Sequence, residues 1–461
     1  MAIRSILQIA ILAGAISTNF LQADDVGALY LQDGDEISYS KRADALAAKG
    51  NLISAIENYS KAIGLNPSFA KAYVNRGHAY RLKGDLSSAL ADFNRALEID
   101  PKLAQAYANR GEILEERGNL DSAIENYSHA MHIDRNFTEA WYARGRARFL
   151  QGDFKGAIAD LDRVIAQRPK FKVDTFVLQL KVPLLPSAYT YRGLAWKSLG
   201  ELNRAVADFS EAIRLDPHFA CAFDNRGYLQ ELMGNPDAAL RDYDEALRLD
   251  PVSAEAYFNR GSLQHARGAL SLALDDFNRL IQLRPTAIAY IKRALVLRDL
   301  GDLESARLAL DAAVALDPKM PDAYLNRGQI WHLAGCLKNA LSDFDKAMEL
   351  QPSAAAAFRG RGAVFIDLGN LERAITDLNR ALELDPRSEL ALYRRGEVLY
   401  LQKDFYGAVR DFEACAALAG ELKELASKRI FEIKQVRQSL TESSDSPKPV
   451  RKDWPVTDLK E

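Results

Sequence analysis

Apolar and small residues recur along this chain with a constant period. The clearest marker is an Arg-Gly pair, replaced by Arg-Ala in two copies, and most successive pairs are separated by the interval that joins Arg76 to Arg110. The step from Arg144 to Arg192 is longer, and the step from Arg260 to Arg293 is shorter by a single residue. A fixed period of this length is the signature of a repeat architecture, in which one helical or strand unit is stacked many times. Eleven copies are present, and their arginines are Arg42, Arg76, Arg110, Arg144, Arg192, Arg226, Arg260, Arg293, Arg327, Arg361 and Arg395.

The pattern inside each copy predicts two amphipathic helices. We number each copy so that the Gly or Ala of the marker pair is position 8. Position 4 is then aromatic in ten copies, as in Tyr73, and position 20 is Ala in all eleven, as in Ala89. Positions 4, 8 and 11 share one face of a first helix, and positions 20, 24 and 27 share one face of a second. The small residues at positions 8 and 20 allow the two helices to approach closely.

Turn signals separate the predicted helices. Position 15 is Gly in ten copies, with Lys403 as the exception, and Gly allows the chain to reverse direction between the helices. Position 32 is Pro in nine copies, such as Pro101. Because Pro has no amide hydrogen and crowds the preceding turn, it ends the second helix.

An insertion of about residues 171–186 separates the fourth and fifth copies. Its apolar residues Phe176, Leu178, Leu180 and Val182 alternate with other residues, which predicts an extended segment with one apolar side. Two interpretations stay open. The segment is either a loop folded back on neighbouring helices or a hydrophobic lip for a partner.

The pattern of residues 36–422 resembles the tetratricopeptide repeat family. The resemblance implies an all-α fold: a right-handed superhelical solenoid of antiparallel helix pairs, with the first helices lining its concave side. One helical hairpin cannot bury its apolar face alone, so neighbouring repeats stack. Residues 421–440 predict a capping helix over the last repeat, and residues 441–461, rich in Ser, Pro and charge, predict a disordered tail.

Residues 1–23 differ from the repeats. They carry one charge, Arg4, followed by an apolar stretch over residues 6–16, and Ala23 is a plausible cleavage point. This arrangement is typical of a secretory signal peptide. We therefore expect a signal at 1–23, a linker at 24–35 and a periplasmic or secreted protein. The alternative is a cytoplasmic or membrane-anchored protein, and membrane association is expected only if the segment stays uncleaved.

Composition and motifs favour binding over catalysis. The net charge is −3 with both signs mixed, whereas nucleic-acid binding favours clustered Lys and Arg. The three cysteines are far apart in sequence, which argues against a disulfide framework or a zinc site. No Walker loop, dinucleotide fingerprint or hydrolase motif is present. We expect no catalytic residue, metal, cofactor, small-molecule substrate or nucleic-acid partner.

The first helices supply the candidate binding residues, because positions 2, 6, 9 and 13 point away from their packed face. Position 6 is Asn in five copies, and a carboxamide can bond a peptide backbone through both a donor and an acceptor. This row resembles the asparagine ladder of the O-linked N-acetylglucosamine transferases, without their catalytic domain, and by that resemblance it lines the concave groove. Three apolar residues accompany it. The predicted binding residues are Asn75, Asn109, Asn225, Asn259, Asn326, Tyr228, Leu232 and Leu333.

The predicted function is a non-catalytic scaffold that binds partner proteins or extended peptides. The alternative is a peptide-binding assembly chaperone of the cell envelope. Some family members hold a C-terminal carboxylate with a set of Lys, Asn and Arg on three adjacent repeats, and this clamp needs Lys at position 5 and Asn at position 9 of one repeat. Neither residue occurs at those positions here, so that mode is not expected.

One ion pair is predicted inside most repeats. Position 7 is Arg in all eleven copies and position 23 is Asp in eight, for example Arg226 and Asp242. Both positions are equally far from the turn at position 15, so they lie opposite each other on the two helices of an antiparallel hairpin. We expect an Arg–Asp contact in each of these eight repeats, partly buried, although a surface pair of little energetic value is the alternative.

Overall fold

The computed structural model describes residues 34–167 and 184–442, and over these ranges its regular elements are 23 α-helices. The expected signal peptide and most of the expected tail lie outside the described residues, as do residues 171–183 of the insertion. The helices are α1 Glu36–Ala48, α2 Leu52–Leu65, α3 Ala70–Lys83, α4 Leu86–Ile99, α5 Ala104–Glu116, α6 Leu120–Ile133, α7 Thr138–Gln151, α8 Phe154–Gln167, α9 Leu184–Ser198, α10 Leu202–Leu215, α11 Ala220–Leu232, α12 Pro236–Leu249, α13 Ala254–Ala266, α14 Leu270–Leu283, α15 Ala287–Asp299, α16 Leu303–Leu316, α17 Pro321–Leu333, α18 Leu337–Leu350, α19 Ala355–Asp367, α20 Leu371–Leu384, α21 Glu389–Leu401, α22 Phe405–Ala417 and α23 Lys423–Glu442.

The helices pack in sequential pairs, which confirms the all-α prediction of one hairpin per repeat. Each odd-numbered helix from α1 to α21 packs against the helix that follows it. The chain divides into two compact units, Met1–Pro251 and Val252–Glu461. The first unit contains the hairpins from α1 to α12, and the second contains those from α13 to α22 together with α23.

Small residues set the distance between the two helices of a repeat. Ala89 at position 20 is fully buried, and a Cβ added to Gly77 at position 8 would lie only 2.7 Å from the Phe93 ring. The same approach recurs at Gly111, where Tyr127 supplies the ring. A glycine at position 8 therefore lets the aromatic ring at position 24 pack directly against the first helix in these two repeats.

The turn at position 15 uses the left-handed backbone region in every repeat. The ten glycines have φ between 71° and 91°, and Lys403 adopts φ 66° although it carries a side chain. The second helix often begins with an Asp or Asn cap. Asp85, for example, accepts a hydrogen bond at 3.0 Å from the backbone N–H of Ser88.

The predicted Arg–Asp pair forms in all eight repeats that contain both residues. In the example of Arg226, Nε lies 2.8 Å from one carboxylate oxygen of Asp242 and Nη2 lies 2.7 Å from the other. The side chains are 23% and 10% exposed, so the pair is partly buried as expected. The other seven pairs are Arg76–Asp92, Arg144–Asp160, Arg192–Asp208, Arg260–Asp276, Arg327–Asp343, Arg361–Asp377 and Arg395–Asp411.

The same arginine also joins neighbouring repeats. Its remaining Nη1 donates to the residue at position 25 of the preceding repeat, as from Arg76 to Ser60 at 2.9 Å and from Arg395 to Asn379 at 2.8 Å. The guanidinium also lies over the aromatic ring at position 4, for example 5.5 Å from the ring centre of Tyr73. Position 7 therefore contributes to the stacking of repeats as well as to the hairpin.

The last helix, α23, packs on α22 through an apolar cluster that includes Ala426 and Ile433. Its outward side carries charged residues such as Lys428 and Lys434. Among residues 34–167 and 184–442, no helix combines the length and the apolar character that crossing a membrane requires.

Candidate functional site

The first helices form the inner face of each unit. In all but one neighbouring pair within a unit, the first helices of consecutive repeats contact each other, whereas second helices make no comparable contacts in the described residues. Elements that approach each other more closely lie on the inner side of a curved stack. Contacts between residues at positions 6, 9 and 12 cross from one first helix to the next, as from Asn75 to Asp44 at 3.0 Å.

Two of the candidate asparagines are hydrogen-bonded to their own helix. The amide nitrogen of Asn225 donates to the carbonyl of Cys221 at 2.8 Å, and that of Asn326 donates to the carbonyl of Asp322 at 2.7 Å. Both side chains are half-buried, as is Asn259. The bond to the carbonyl four residues earlier fixes the orientation of each amide, so these groups are held in place on the inner face.

The remaining two asparagines are less accessible to a ligand. Asn75 is half-buried and bonded to Asp44, which also accepts a hydrogen bond from Tyr59 at 2.6 Å. Asn109 is completely buried, and neither of its amide atoms has a hydrogen-bond partner in the described residues. A ligand cannot reach Asn109 unless the first helices rearrange.

The candidate apolar residues are exposed. Tyr228 and Leu232 lie on α11 in the first unit and are 37% and 53% exposed. Leu333 lies on α17 in the second unit and is 48% exposed. The ammonium group of Lys197 lies 5.1 Å from the centre of the Tyr228 ring, and burial lowers the pKa of this lysine. The cation–π contact with Lys197 therefore helps to hold the Tyr228 ring in place, and part of the ring stays exposed to solvent.

Sequence reasoning missed a network of ion pairs on the inner face of the second to fourth repeats. Arg81 lies 3.1 Å from Glu112 and 3.1 Å from Glu116 on α5. Arg146 on α7 makes a bidentate contact with Glu115, at 2.9 and 3.0 Å. These contacts tie three consecutive first helices together. Opposite charges at positions 9, 12 and 13 of consecutive copies are the sequence signal that could have revealed the network.

Burial dominates the electrostatics of this network. It raises the pKa of the Glu112 carboxyl, although Arg81 and Arg146 act in the opposite direction. It also lowers the pKa of His78 to about 4, with a smaller contribution from Arg81. Taking these groups out of water costs free energy that the ion pairs offset only in part. The inner face of these repeats is therefore closed by the protein's own side chains.

Models of one repeat family match the chain along most of its length. A model described as the tetratricopeptide repeat matches residues 130–170, 226–288 and 291–355. Three further tetratricopeptide repeat models match residues 70–103, 93–125 and 186–219, and a TPR repeat model matches residues 43–81 and 362–403. No curated protein matches the chain.

Solved structures with similar folds include several helical repeat proteins. YrrB, described as a TPR protein with an unusual peptide-binding site, is 28% identical, and the match covers 40% of this chain and 95% of YrrB with a TM-score of 0.34. MamA is 27% identical over 39% of this chain and 96% of its own, with a TM-score of 0.33. Yeast Tom70 is 17% identical over 88% of this chain and 97% of its own, with a TM-score of 0.44.

Proposed function

Because this chain belongs to the tetratricopeptide repeat family, we propose that it is a non-catalytic scaffold that binds partner proteins or extended peptides through the inner face of its first helices. The observation that carries this proposal is the combination of oriented amides and exposed apolar side chains on that face. Asn225 stands beside Tyr228 and Leu232 on α11, and Asn326 stands with Leu333 on α17.

A binder of extended peptides, such as an assembly chaperone, is the second candidate. Asn225 and Asn326 favour it because an amide can bond a peptide backbone whatever its side chains are. The partner set distinguishes the candidates. A few folded proteins support the scaffold, and many unrelated unfolded segments support the chaperone.

The triple change of Asn225, Asn259 and Asn326 to Ala tests the binding face. Partners are captured from the native host with the full chain, identified, and then titrated against the variant. We expect weaker binding with an almost unchanged thermal unfolding midpoint. The control changes Asn203 and Asn339, which are exposed on second helices, to Ala. If the triple variant binds each partner as the unmodified chain does, the inner face does not carry recognition.

We also propose export to the periplasm or the cell exterior. The support is the signal-like pattern of residues 1–23, with Arg4 followed by an apolar stretch. Mass measurement of the protein from its native host tests cleavage. A mature terminus near Asp24 is expected, and a terminus at Met1 or Ala2 contradicts the proposal.

A further inference from the structure

The turn of the last repeat carries an exposed aromatic surface. Tyr400 and Phe405 are half-buried, Leu401 is 50% exposed and Tyr406 is 78% exposed. We call these four residues the aromatic patch. Tyr406 occupies position 18, where the other ten copies have no aromatic residue. The patch is therefore a feature of this repeat and not of the repeat pattern, and an exposed apolar surface of this kind marks an association site.

The rings of the patch are held by the fold. The Tyr400 and Phe405 rings meet edge to face, with their centres 5.6 Å apart. Phe405 begins α22 directly after Asp404, whose side chain accepts a hydrogen bond at 2.9 Å from the backbone N–H of Gly407. Tyr400 and Leu401 end α21 on the other side of the turn. The patch is therefore a preformed surface between two helix ends.

An apolar cavity lies beside the patch. Its volume is about 40 Å³, and Tyr400 and Leu401 line it together with Ile366, Phe412 and Ile433. A water molecule would find few hydrogen-bond partners among these side chains, whereas a small apolar group fits them. The charged residues at the cavity are Glu397 and Arg429, which lie 3.6 Å from each other. Patch and cavity together form a surface suited to an apolar ligand.

Helix α23 directs the chain past this surface. It runs beside α21, since Nε of Arg429 lies 3.1 Å from the Tyr393 hydroxyl and Ile433 lines the same cavity as Leu401. The helix continues from Ile433 to Glu442, which at 1.5 Å per residue is about 14 Å. The chain therefore leaves α23 on the turn side of the last repeat, about 14 Å beyond Leu401.

The sequence that follows α23 has the composition of a ligand for an aromatic surface. Residues 443–461 contain Pro447, Pro449 and Pro455, and Trp454 is their single aromatic residue. Proline favours extended polyproline backbone, and segments of this kind bind grooves lined with aromatic side chains. Trp adds a large apolar area at a low cost in conformational entropy. A short docked motif is compatible with a segment whose composition predicts no fold of its own.

The length of the connection allows this segment to return to the patch. Trp454 follows Glu442 by twelve residues. A polyproline chain advances about 3.1 Å per residue, so Trp454 can lie up to about 37 Å from the end of α23. This exceeds the return distance of about 14 Å. A short flexible tether raises the effective concentration of the segment to the millimolar range, so even weak contacts give a docked population.

We propose that the proline-rich segment of residues 447–456 docks on the aromatic patch of its own chain, with Trp454 against Tyr406 and Leu401. The docked segment covers rings that the repeats leave exposed. The patch is then open to another molecule only after the segment is displaced. This contact lies at the turn of the last repeat and does not use the inner face of the first helices.

Fluorine NMR of the full chain labelled with fluorotryptophan tests the contact. The chain has four tryptophans, and Trp454→Phe assigns the resonance of Trp454. We expect this resonance to be shifted from its value in a labelled synthetic peptide of residues 443–461. Tyr406→Ser, and separately Leu401→Ser, should return it towards the peptide value. The matched control Ile53→Ser, at position 18 of the first repeat and 62% exposed, should leave it shifted.

Concentration identifies the molecule to which the segment belongs. A shift that is the same at all protein concentrations supports docking within one chain. A shift that appears only as the concentration rises assigns the contact to a second copy and overturns the proposal. A Trp454 resonance equal to that of the free peptide overturns it as well. So does a shift that both patch variants leave unchanged, provided that circular dichroism shows the variants to be folded.

Discussion

The guanidinium at position 7 makes contacts in three directions. It pairs with Asp at position 23 of its own repeat, donates to position 25 of the preceding repeat and lies over the ring at position 4. The third repeat departs from this pattern. There Arg110 meets Asn126 in place of an aspartate, with Nε 2.7 Å from the amide oxygen, and burial lowers the pKa of this arginine.

Asn126→Asp should therefore stabilise the protein. It would give Arg110 the carboxylate that eight other repeats provide, and exchanging a neutral acceptor for a charged one is worth about 1 kcal/mol. The matched reverse change, Asp242→Asn beside Arg226, should destabilise by a similar or larger amount. Urea unfolding followed by circular dichroism measures both. Destabilisation by Asn126→Asp would show that burying a further charge outweighs the gained pair.

Glu112 gives a pH-dependent prediction at the same scale. Burial raises the pKa of its carboxyl in the folded state. The contribution of Glu112 to the free energy of unfolding is therefore fully present below the pKa that its carboxyl has in the unfolded chain. This contribution is lost as the pH rises through the pKa of the carboxyl in the folded chain. Glu112→Gln removes this dependence, so the stability of the variant relative to the unmodified chain should rise between about pH 4 and pH 7.

Unfolding free energies measured across that pH range test the effect. Glu116→Gln is the control, because Glu116 is exposed on the same helix and contacts the same Arg81. A stability difference for Glu112→Gln that stays constant or falls with pH would show that the Arg81 contact, and not burial, decides the energetics.

How much of the site could be predicted differs between residues. The Arg226–Asp242 contact could be predicted because both residues belong to one hairpin and are equally far in sequence from its turn. The bond from Arg76 to Ser60 was not predicted, since it depends on how consecutive repeats stack. The burial of Asn109 was missed for the same reason. Asn109 occupies the same position 6 as Asn225, yet its side chain is completely buried.

At the scale of the element, the turn between the two helices of a repeat is nearly invariant in conformation. Lys403 adopts the same left-handed angles as the ten glycines, although a side chain is disfavoured there. The period predicted where each turn lies, and the glycine preference predicted its conformation. The departure at Lys403 shows that the packing of α21 and α22 enforces the turn even without glycine.

Lys403→Gly should stabilise the last repeat by about 1 kcal/mol, because it removes the left-handed penalty of a residue with a Cβ. The reverse change Gly369→Lys should cost about the same. A Cβ at Gly369 would meet no atom within 4 Å, so its effect is that of the backbone alone. Thermal unfolding of both variants gives the comparison. Opposite signs of similar size are expected, and a neutral Gly369→Lys would contradict the argument.

At the scale of the whole molecule, each hairpin is stabilised mainly by its neighbours. The last hairpin has a repeat on one side and α23 on the other, where Ile433 is 1% exposed and belongs to the same core as Val398 and Phe412. In an array of this kind the stability is approximately the sum of repeat and interface contributions. A change at the α23 interface should therefore act locally.

Ile433→Ala should destabilise the C-terminal end of the second unit by about 3 kcal/mol, because it leaves a cavity in this interface. Phe431→Ala on the same helix is the matched control. Its side chain is 62% exposed, and its change should cost less than about 0.5 kcal/mol. Hydrogen exchange measures where protection is lost. Faster exchange is expected in α21, α22 and α23, with α1 to α4 unchanged, since the interface energy is not shared with distant repeats. Equal loss of protection in α1 to α4 would show that the hairpins unfold as one cooperative body, and the nearest-neighbour description would then be wrong for this chain.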